Sequence, residues 1–202
     1  MTPAQMVAGV KALASGWSFD VMSIGYPGPV LQERPLSEPH NLASGWVGFD
    51  FNGAFGCPLR IVNDAAMQAL GGYRGGRMLF IGLGTGLGTA MIVDGEVEPM
   101  ELGHLPYRKS TFEDHAGERG LERLGKKRWR SRVADVIEHL KAAMEPDDIL
   151  LGGGNAAKLK SRVPPGCRLG GNDDAFTGGI RLWQGSDAAP PQTTPAPVVN
   201  PG

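Results

Sequence analysis

The sequence is poor in cysteine: Cys57 and Cys167 lie far apart and form no Cys-x-x-Cys pair. This argues against a disulfide framework or a cysteine zinc site and favours a reducing compartment. Excess charge is also lacking, because the net charge is -1, which argues against nucleic-acid binding over the whole surface. No apolar run is long enough to span a bilayer, and no signal peptide follows Met1. These absences predict a cytoplasmic protein without membrane or nucleic-acid partners.

Glycine, in contrast, is abundant, with 31 among 202 residues, and 41% of the chain is hydrophobic. That is enough for a real core in one large or two small domains rich in tight loops. The apolar patterns predict strands and helices in alternation, which indicates an α/β protein. The predicted strands are 19–24, 59–62, 78–81, 90–93 and 147–151, and the predicted helices are 3–15, 65–70, one or two within 112–144, 156–160 and 173–183.

The same patterns divide the chain. Residues 1–72 are predicted to form an amino-terminal α/β lobe and residues 73–183 a carboxy-terminal one. The glycine-rich residues 71–76 are a candidate hinge between them. Residues 184–202 form a Pro/Ala-rich tail that we expect to be disordered.

Residues 78–105 carry most of the functional information. Two apolar runs flank the Gly/Thr loop 82–89, and the second run ends at Asp94-Gly95, so a hairpin is predicted. The backbone N–H groups of such a loop can approach an anion, and the hydroxyls of Thr85 and Thr89 can add hydrogen bonds. A structural glycine turn without a ligand is an equally weighted alternative. The loop matches neither a phosphate-binding Walker loop nor a dinucleotide fingerprint.

Asn63 and Asp64 stand between a predicted strand and a predicted helix. An acid or amide in this position is first of all an N-cap candidate. It can equally hold a carboxylate at the mouth of a cleft, within reach of a substrate hydroxyl. Both alternatives remain open from local sequence.

Glu101 and His104 are three residues apart around a glycine and can project two polar groups into one pocket. The alternative for each is an exposed surface residue. His104, Glu113 and His115 have no recognised zinc spacing, so no metal site is predicted from them.

Two further segments suggest anion binding. Gly152, Gly153 and Gly154 join a predicted strand to a predicted helix, where a ligand can approach the backbone, although such turns are common. Residues 119–132 hold seven cations, which form either a solvated helix face or an electropositive surface for a polyanion. Because only Trp129 interleaves with them, base stacking has little support. The seven are Arg119, Arg123, Lys126, Lys127, Arg128, Arg130 and Arg132.

The order of these motifs resembles the ROK family of sugar kinases and repressors, and within it the polyphosphate glucokinases. The segment 101–129 is especially similar to that branch, and the likeness covers about residues 1–183. The motifs are Gly25-Tyr26-Pro27-Gly28-Pro29, Val62-Asn63-Asp64-Ala65, Gly82-Leu83-Gly84-Thr85-Gly86-Leu87-Gly88, Glu101-Leu102-Gly103-His104 and Leu150-Leu151-Gly152-Gly153-Gly154.

The resemblance implies an actin-like, ribonuclease-H-type α/β fold of two lobes. It implies a glucokinase that uses Mg²⁺ and transfers a phosphoryl group from polyphosphate, ATP or both to a glucose-like hexose, and it suggests a homodimer. Asp64 would accept the proton of the sugar 6-hydroxyl. The other sugar hydroxyls would be held by Asn63, Glu101, His104 and Glu113. The donor would lie near Gly84, Thr85, Gly86, Gly152, Gly153 and Gly154, and Arg123, Lys126, Lys127 and Arg128 are candidates for polyphosphate.

The sequence departs from the family pattern twice. It lacks the zinc-binding cysteine cluster of most members, as the polyphosphate branch also does. It also lacks the amino-terminal Asp-x-Gly-Gly-Thr strands, so we expect an incomplete amino-terminal lobe. Either the start codon is internal to a longer gene or the chain is a remnant, and a non-catalytic sugar-binding protein is the alternative function. A ROK repressor is less favoured, because no helix-turn-helix precedes the kinase-like motifs.

Overall fold

The computed structural model describes residues 1–39, 41–159 and 162–184. The predicted disordered tail therefore lies outside the described residues, except for Gln184. The helices are α1 (Pro3–Leu13), α2 (Phe51–Phe55), α3 (Asp64–Gly72), α4 (Phe112–Ala116), α5 (Glu118–Met144) and α6 (Asp174–Arg181). The strands are β1 (Met22–Tyr26), β2 (Val30–Leu31), β3 (Arg34–Pro35), β4 (Leu59–Asn63), β5 (Arg77–Leu83), β6 (Leu87–Val93), β7 (Glu96–Met100), β8 (Pro106–Tyr107), β9 (Ser110–Thr111), β10 (Asp148–Gly152) and β11 (Cys167–Leu169).

A five-stranded sheet forms the larger part of the fold, in the order β11-β10-β5-β6-β7. β5, β6 and β7 are antiparallel, as the glycine loop and the Asp94-Gly95 turn predict, whereas β10 runs parallel to β5 and β11. The central strands are fully buried because α5 covers one face and α3 the other. This explains why β5 is a continuous apolar run and not an alternating one.

The amino-terminal sheet is much smaller. β1 and β4 pair in parallel, with Tyr26 opposite Asn63 at their carboxyl ends. Below them lies an aromatic cluster that includes Tyr26, Trp46 and Phe51. Parallel sheets are normally larger and covered on both faces, so a two-stranded one agrees with the predicted incompleteness of this lobe.

Helix α3 connects the two sheets. Its alanines Ala65, Ala66 and Ala69 pack on the larger sheet, while its other side meets α6. α6 also reaches β1, where the Ser23 hydroxyl donates to the Gly179 carbonyl at 2.7 Å. The last helix, which the sequence assigned to the carboxy-terminal lobe, thus packs against the amino-terminal sheet.

Several local predictions differ from the structure. The first strand begins at Met22 and not at residue 19, and the short β2–β3 hairpin that follows it was not predicted. Residues 71 and 72, assigned to a flexible junction, are the buried last turn of α3. The short strand β11 was not predicted, because three residues carry no periodicity. Within the described residues, no helix is both long and apolar enough to cross a membrane.

Candidate functional site

The loop between β5 and β6 is an open glycine turn that is fixed from one side. The side-chain amide of Asn155 donates to the Gly84 carbonyl at 3.1 Å, and its backbone N–H donates to the Leu83 carbonyl at 2.8 Å. A Cβ placed on Gly84 would meet no protein atom within 4 Å. The loop backbone is therefore held rigidly while one of its sides remains accessible to a ligand.

Asn63 and Asp64 lie at the carboxyl end of β4, where α3 begins. The Asn63 side chain accepts from the N–H groups of Ala65 and Ala66 at 2.9 and 3.2 Å and donates to the Gly28 carbonyl at 3.0 Å. The N-cap interpretation is thus confirmed for Asn63, whose amide also holds the Gly/Pro loop after β1. A sugar contact from Asn63 remains a prediction that would use its second N–H group.

Asp64 is placed between the two sheets. A Cβ on Gly25 would lie 3.4 Å from the Asp64 Cα, and a Cβ on Gly88 would lie 3.0 Å from the Ala65 Cβ. Glycine at both positions lets the ends of β1 and β6 approach the start of α3 closely. The start of α3, where Asp64 lies, is therefore close to the chain segment that leaves the glycine loop.

The Asp64 carboxylate is both accessible and poorly hydrated. As a residue Asp64 is exposed, yet surrounding protein atoms desolvate its carboxyl, and this burial raises its pKa. A hydrogen bond from the Ala65 N–H at 2.8 Å partly opposes the shift. These properties suit a general base.

Glu113 lies on the other side of the loop, in the first turn of α4. Its carboxylate accepts from the Leu87 N–H at 3.1 Å and from Arg119 at 3.2 Å. A Cβ on Gly86 would come within 2.5 Å of the carboxylate, so only glycine permits this approach. The capping box between Thr111 and Asp114 holds the start of α4 in place.

Glu101 and His104 lie on a 3₁₀ turn, Leu102–His104, that follows β7. The His104 Nδ1 is 4.0 Å from a Glu101 carboxylate oxygen, and both side chains are more than half exposed. A Cβ on Gly103 would lie 2.6 Å from the Leu87 carbonyl oxygen, so the turn packs directly against the start of β6. The structure therefore brings this pair to the same loop region as Glu113.

The three glycines after β10 differ in their surroundings. Gly152 is buried in the sheet, where a Cβ would meet Phe80 and Gln68. Gly153 has a φ of 80° and lies against the backbone of Leu83, whereas Gly154 has open space around its Cβ position. The helix predicted to follow is a 3₁₀ turn of four residues, Ala156–Leu159, which supplies little helix dipole.

The basic segment divides at Gly125, whose φ of 71° and ψ of 157° break α5. Before the break, Arg119 pairs with Glu113, and Arg123 donates to the Asp114 carbonyl at 2.8 Å. After it, Arg130 is bound to the Lys158 carbonyl. Three exposed cations make no ion pair or hydrogen bond within residues 1–39, 41–159 and 162–184: Lys126, Lys127 and Arg128.

These three cations begin the second part of α5, where the helix dipole is itself positive. Cations there are locally unfavourable, and an anion would relieve the repulsion. Elsewhere, the described residues contain no group of three His, Cys, Asp or Glu side chains placed to hold a metal ion.

Sequence reasoning missed the structural roles of two buried polar residues of this region, Asn155 and Thr89. Asn155 directly follows the glycine run, and a polar residue there was a usable signal. The sequence placed Thr89 in the anion-binding loop, but the structure buries it in β6. Its hydroxyl binds partners 11 and 13 residues away, which no local pattern indicated.

The fold is the actin-like α/β fold that solved sugar kinases share. No protein-family model matches the chain. The chain is 28% identical over 182 residues to polyphosphate glucokinases of Mycobacterium leprae (strain TN) and Mycobacterium tuberculosis (strain ATCC 25618 / H37Rv). These matches cover 80% of this chain and 56% and 68% of the two relatives. The chain thus spans little more than half of the first relative's length.

Comparison with solved structures gives the same likeness to sugar kinases. The inorganic polyphosphate/ATP-glucomannokinase from Arthrobacter sp. strain KM superposes with a TM-score of 0.70 at 25% identity, covering 87% of this chain and 79% of that one. A ROK family glucokinase from Streptomyces griseus, solved with glucose and AMPPNP, gives 0.65 at 15% identity over 90% and 88%, which supports the fold alone. The resemblance to the ROK family, and within it to polyphosphate glucokinases, is confirmed.

Proposed function

We propose that this chain is a hexose kinase of the glucokinase type, which transfers a phosphoryl group from polyphosphate, ATP or both to the 6-hydroxyl of a glucose-like sugar. The observation that carries the proposal is the exposed Asp64, whose pKa is raised by burial and which begins the helix whose next residue, Ala65, packs against Gly88 at the end of the glycine loop. The similarity to polyphosphate glucokinases and to a polyphosphate/ATP-glucomannokinase supports the same reaction.

In this proposal Asp64 accepts the proton of the sugar hydroxyl as that oxygen attacks the terminal phosphorus of the donor. A sugar hydroxyl is a weak nucleophile, so a positioned carboxylate assists it. The bond between the transferred phosphorus and the donor oxygen breaks as the new one forms, and alignment supplies much of the remaining rate acceleration.

The sugar would be oriented by the polar groups that surround the loop. Glu101 and His104 are exposed and available, whereas both oxygens of Glu113 already accept hydrogen bonds from Leu87 and Arg119. Glu113 would therefore bind a sugar hydroxyl while also keeping its contact with the loop. Carboxylates and an imidazole suit a ring of vicinal hydroxyls, which need both acceptors and donors.

The phosphoryl donor would face Gly84, Thr85 and Gly86, with Gly153 and Gly154 next to them. The open space at Gly84 and Gly154 leaves room for a phosphate to approach the backbone. Gly152 would act only as a packing residue behind them, because it is enclosed by Phe80 and Gln68.

Polyphosphate would extend toward Lys126, Lys127 and Arg128. Their exposure and lack of acidic partners in the described part of the chain leave three charges free for a polyanion. Arg123 would contribute less, because it already binds the Asp114 carbonyl.

Mg²⁺ is expected with either donor. This cation is commonly held by one or two carboxylates together with substrate phosphates and water, so a protein cluster is unnecessary. Because Asp64 is assigned to the proton transfer, Mg²⁺ would be held mainly by the donor phosphates and water. When bound, Mg²⁺ neutralises charge on the donor phosphates.

The direct test measures glucose 6-phosphate formation by the 202-residue chain with polyphosphate and with ATP, each with and without Mg²⁺. Turnover with at least one donor supports the proposal. The non-catalytic alternative, motivated by the two-stranded amino-terminal sheet, predicts instead that glucose raises the melting temperature without any transfer. A chain that shows neither effect contradicts both functions.

A further inference from the structure

We propose that Thr89 is the residue that positions Glu101 for sugar binding, an inference that rests on the proposed function. Thr89 lies in β6 opposite Met100 at the last pair of the β6–β7 ladder. Its side chain is 1% exposed, and its hydroxyl makes two hydrogen bonds. It donates to the Met100 carbonyl at 2.7 Å and accepts from the Leu102 N–H at 3.1 Å.

These two bonds lie on either side of Glu101. The ladder stops at Met100, and Glu101 leaves the strand with φ −111° and ψ 45°. A threonine hydroxyl has one donor and two acceptor positions, so one group can hold both the carbonyl before Glu101 and the N–H after it. The backbone of Glu101 is therefore clamped on both sides by a buried side chain from the neighbouring strand.

The clamp also means that the Glu101 carboxylate is not used to cap the turn. Glu101 occupies the N-cap position of the 3₁₀ turn, where side chains normally accept a backbone N–H, but it makes no such bond. The first N–H group of the turn, that of Leu102, donates instead to the Thr89 hydroxyl on the neighbouring strand. Asn63 shows the opposite arrangement, because its own side chain caps α3 and is largely occupied by that role.

The turn is also held by the packing of the Leu102 side chain against the apolar core. It is three residues long, and its remaining backbone bonds run from His104 to Glu101 and from Leu105 to Leu102. Close packing of Gly103 against Leu87 fixes its distance from β6, but not the direction of Glu101. Thr89 is thus a positioning residue and does not itself contact the sugar.

The test compares Thr89→Val, which keeps the shape and removes the hydroxyl, with Thr89→Ser, which keeps the hydroxyl. Glucose affinity is measured by calorimetry at a temperature where every variant is folded. We expect Thr89→Val to weaken binding about tenfold, because small displacements of a positioned group are costly, and Thr89→Ser to bind within about twofold of the wild type. Ile92→Val, a buried change in the same strand, should leave affinity unchanged and controls for lost packing.

A double-mutant cycle with Glu101→Gln shows whether the effect passes through Glu101. If it does, Thr89→Val adds little in the Glu101→Gln background; full additivity, or wild-type affinity in Thr89→Val, overturns the inference. Amide exchange at Leu102 gives a sugar-independent readout, and unchanged protection in Thr89→Val also overturns it. A wild-type chain that binds no glucose would defeat the proposed function itself, and the role of Thr89 with it.

Discussion

At the scale of single residues, the polar side chains of the site differ in whether they already have hydrogen-bond partners within the protein. Asn63 and Glu113 have structural partners, whereas Asp64, Glu101 and His104 retain accessible polar groups. The sequence motifs indicated all five residues, but they did not show which of them have structural hydrogen-bond partners and which keep accessible polar groups. That difference decides which substitutions should affect chemistry and which should also affect stability.

Replacing Asp64 by asparagine should lower turnover by about 10²- to 10⁴-fold, because the amide cannot accept the hydroxyl proton. Sugar affinity should survive, since the shape of the side chain is kept. Steady-state rates and glucose calorimetry on the same preparation measure both quantities. Asp94→Asn, at a turn position with a φ of 51° that asparagine tolerates, is the matched control. Undiminished activity in the Asp64 variant would remove this carboxylate from the mechanism.

The raised pKa of Asp64 should appear in both activity and stability. As a base it works when ionised, so kcat/KM should fall on the acid side at a pH above the ordinary aspartate range. Ionisation is less favourable in the folded state, so it lowers stability as pH rises through the pKa, and this penalty is absent at lower pH. Asp64→Asn should therefore melt higher than the wild type near neutral pH, with a difference that shrinks on acidification. A pH-independent difference in melting temperature would contradict this assignment.

At the scale of elements, the crossing of α3 and α6 joins the two parts of the fold. A Cβ on Gly178 would overlap the Met67 carbonyl oxygen, and a Cβ on Gly71 would overlap the Asp174 carbonyl. Arg181 then donates to carbonyls at the end of α3, at 2.8 Å to Leu70. Because α3 begins with Asp64, this crossing also supports the helix that presents the proposed base.

Gly178→Ala should destabilise the protein by about 3 kcal/mol, since the two helix backbones would have to separate. Its neighbour Gly179 offers a matched control, because a Cβ there would meet Ser23 at 3.4 Å and the Met67 sulfur at 3.8 Å, which are ordinary contacts. Gly179→Ala should be neutral or stabilising by up to about 1 kcal/mol through helix propensity. Urea unfolding of both variants measures the difference, and equal stabilities would show that the crossing is less tight than described.

At the scale of the whole molecule, the two sheets differ strongly in burial. Phe80 and Leu150 in the larger sheet are fully buried, while Met22 and Ile24 of β1 are partly exposed. The two-stranded sheet therefore has less packing to protect its hydrogen bonds. Stability should be unevenly distributed between the two parts of the molecule.

Amide hydrogen exchange should reveal this gradient. We expect the amides of β1 to exchange substantially faster than those of β5 and β10, because local opening of a small sheet exposes little buried surface. Mass spectrometry of peptic fragments resolves the two regions within one experiment. Uniform protection across both sheets would contradict the expectation.

The free cations on α5 give a prediction about donor choice. Lys126→Glu with Lys127→Glu should reduce the efficiency of polyphosphate as donor about tenfold at low salt, and less at high salt, because the attraction is screened. ATP-dependent turnover should change little. Lys11→Glu with Arg74→Glu changes the net charge equally at exposed positions away from α5 and serves as the control. Equal losses with both donors, or in the control, would argue against a polyphosphate surface.

The sequence by itself determined the local pieces. The β5–β6 hairpin, the turn at Asp94-Gly95, the Asn63 cap and the buried β5 run follow from glycine positions, capping residues and apolar periodicity, which act over a few residues. The order of the motifs also sufficed to indicate the fold class.

Only the tertiary structure decided how those pieces support one another. Asn155 reaches Gly84 across 71 residues, α6 returns to β1, and Thr89 holds the backbone around Glu101. Such contacts depend on long-range packing and on single hydroxyl or amide groups, and these produce no periodic pattern in the sequence. The physical reason is that local propensity acts between near neighbours, whereas the satisfaction of buried polar groups is settled only when distant segments meet.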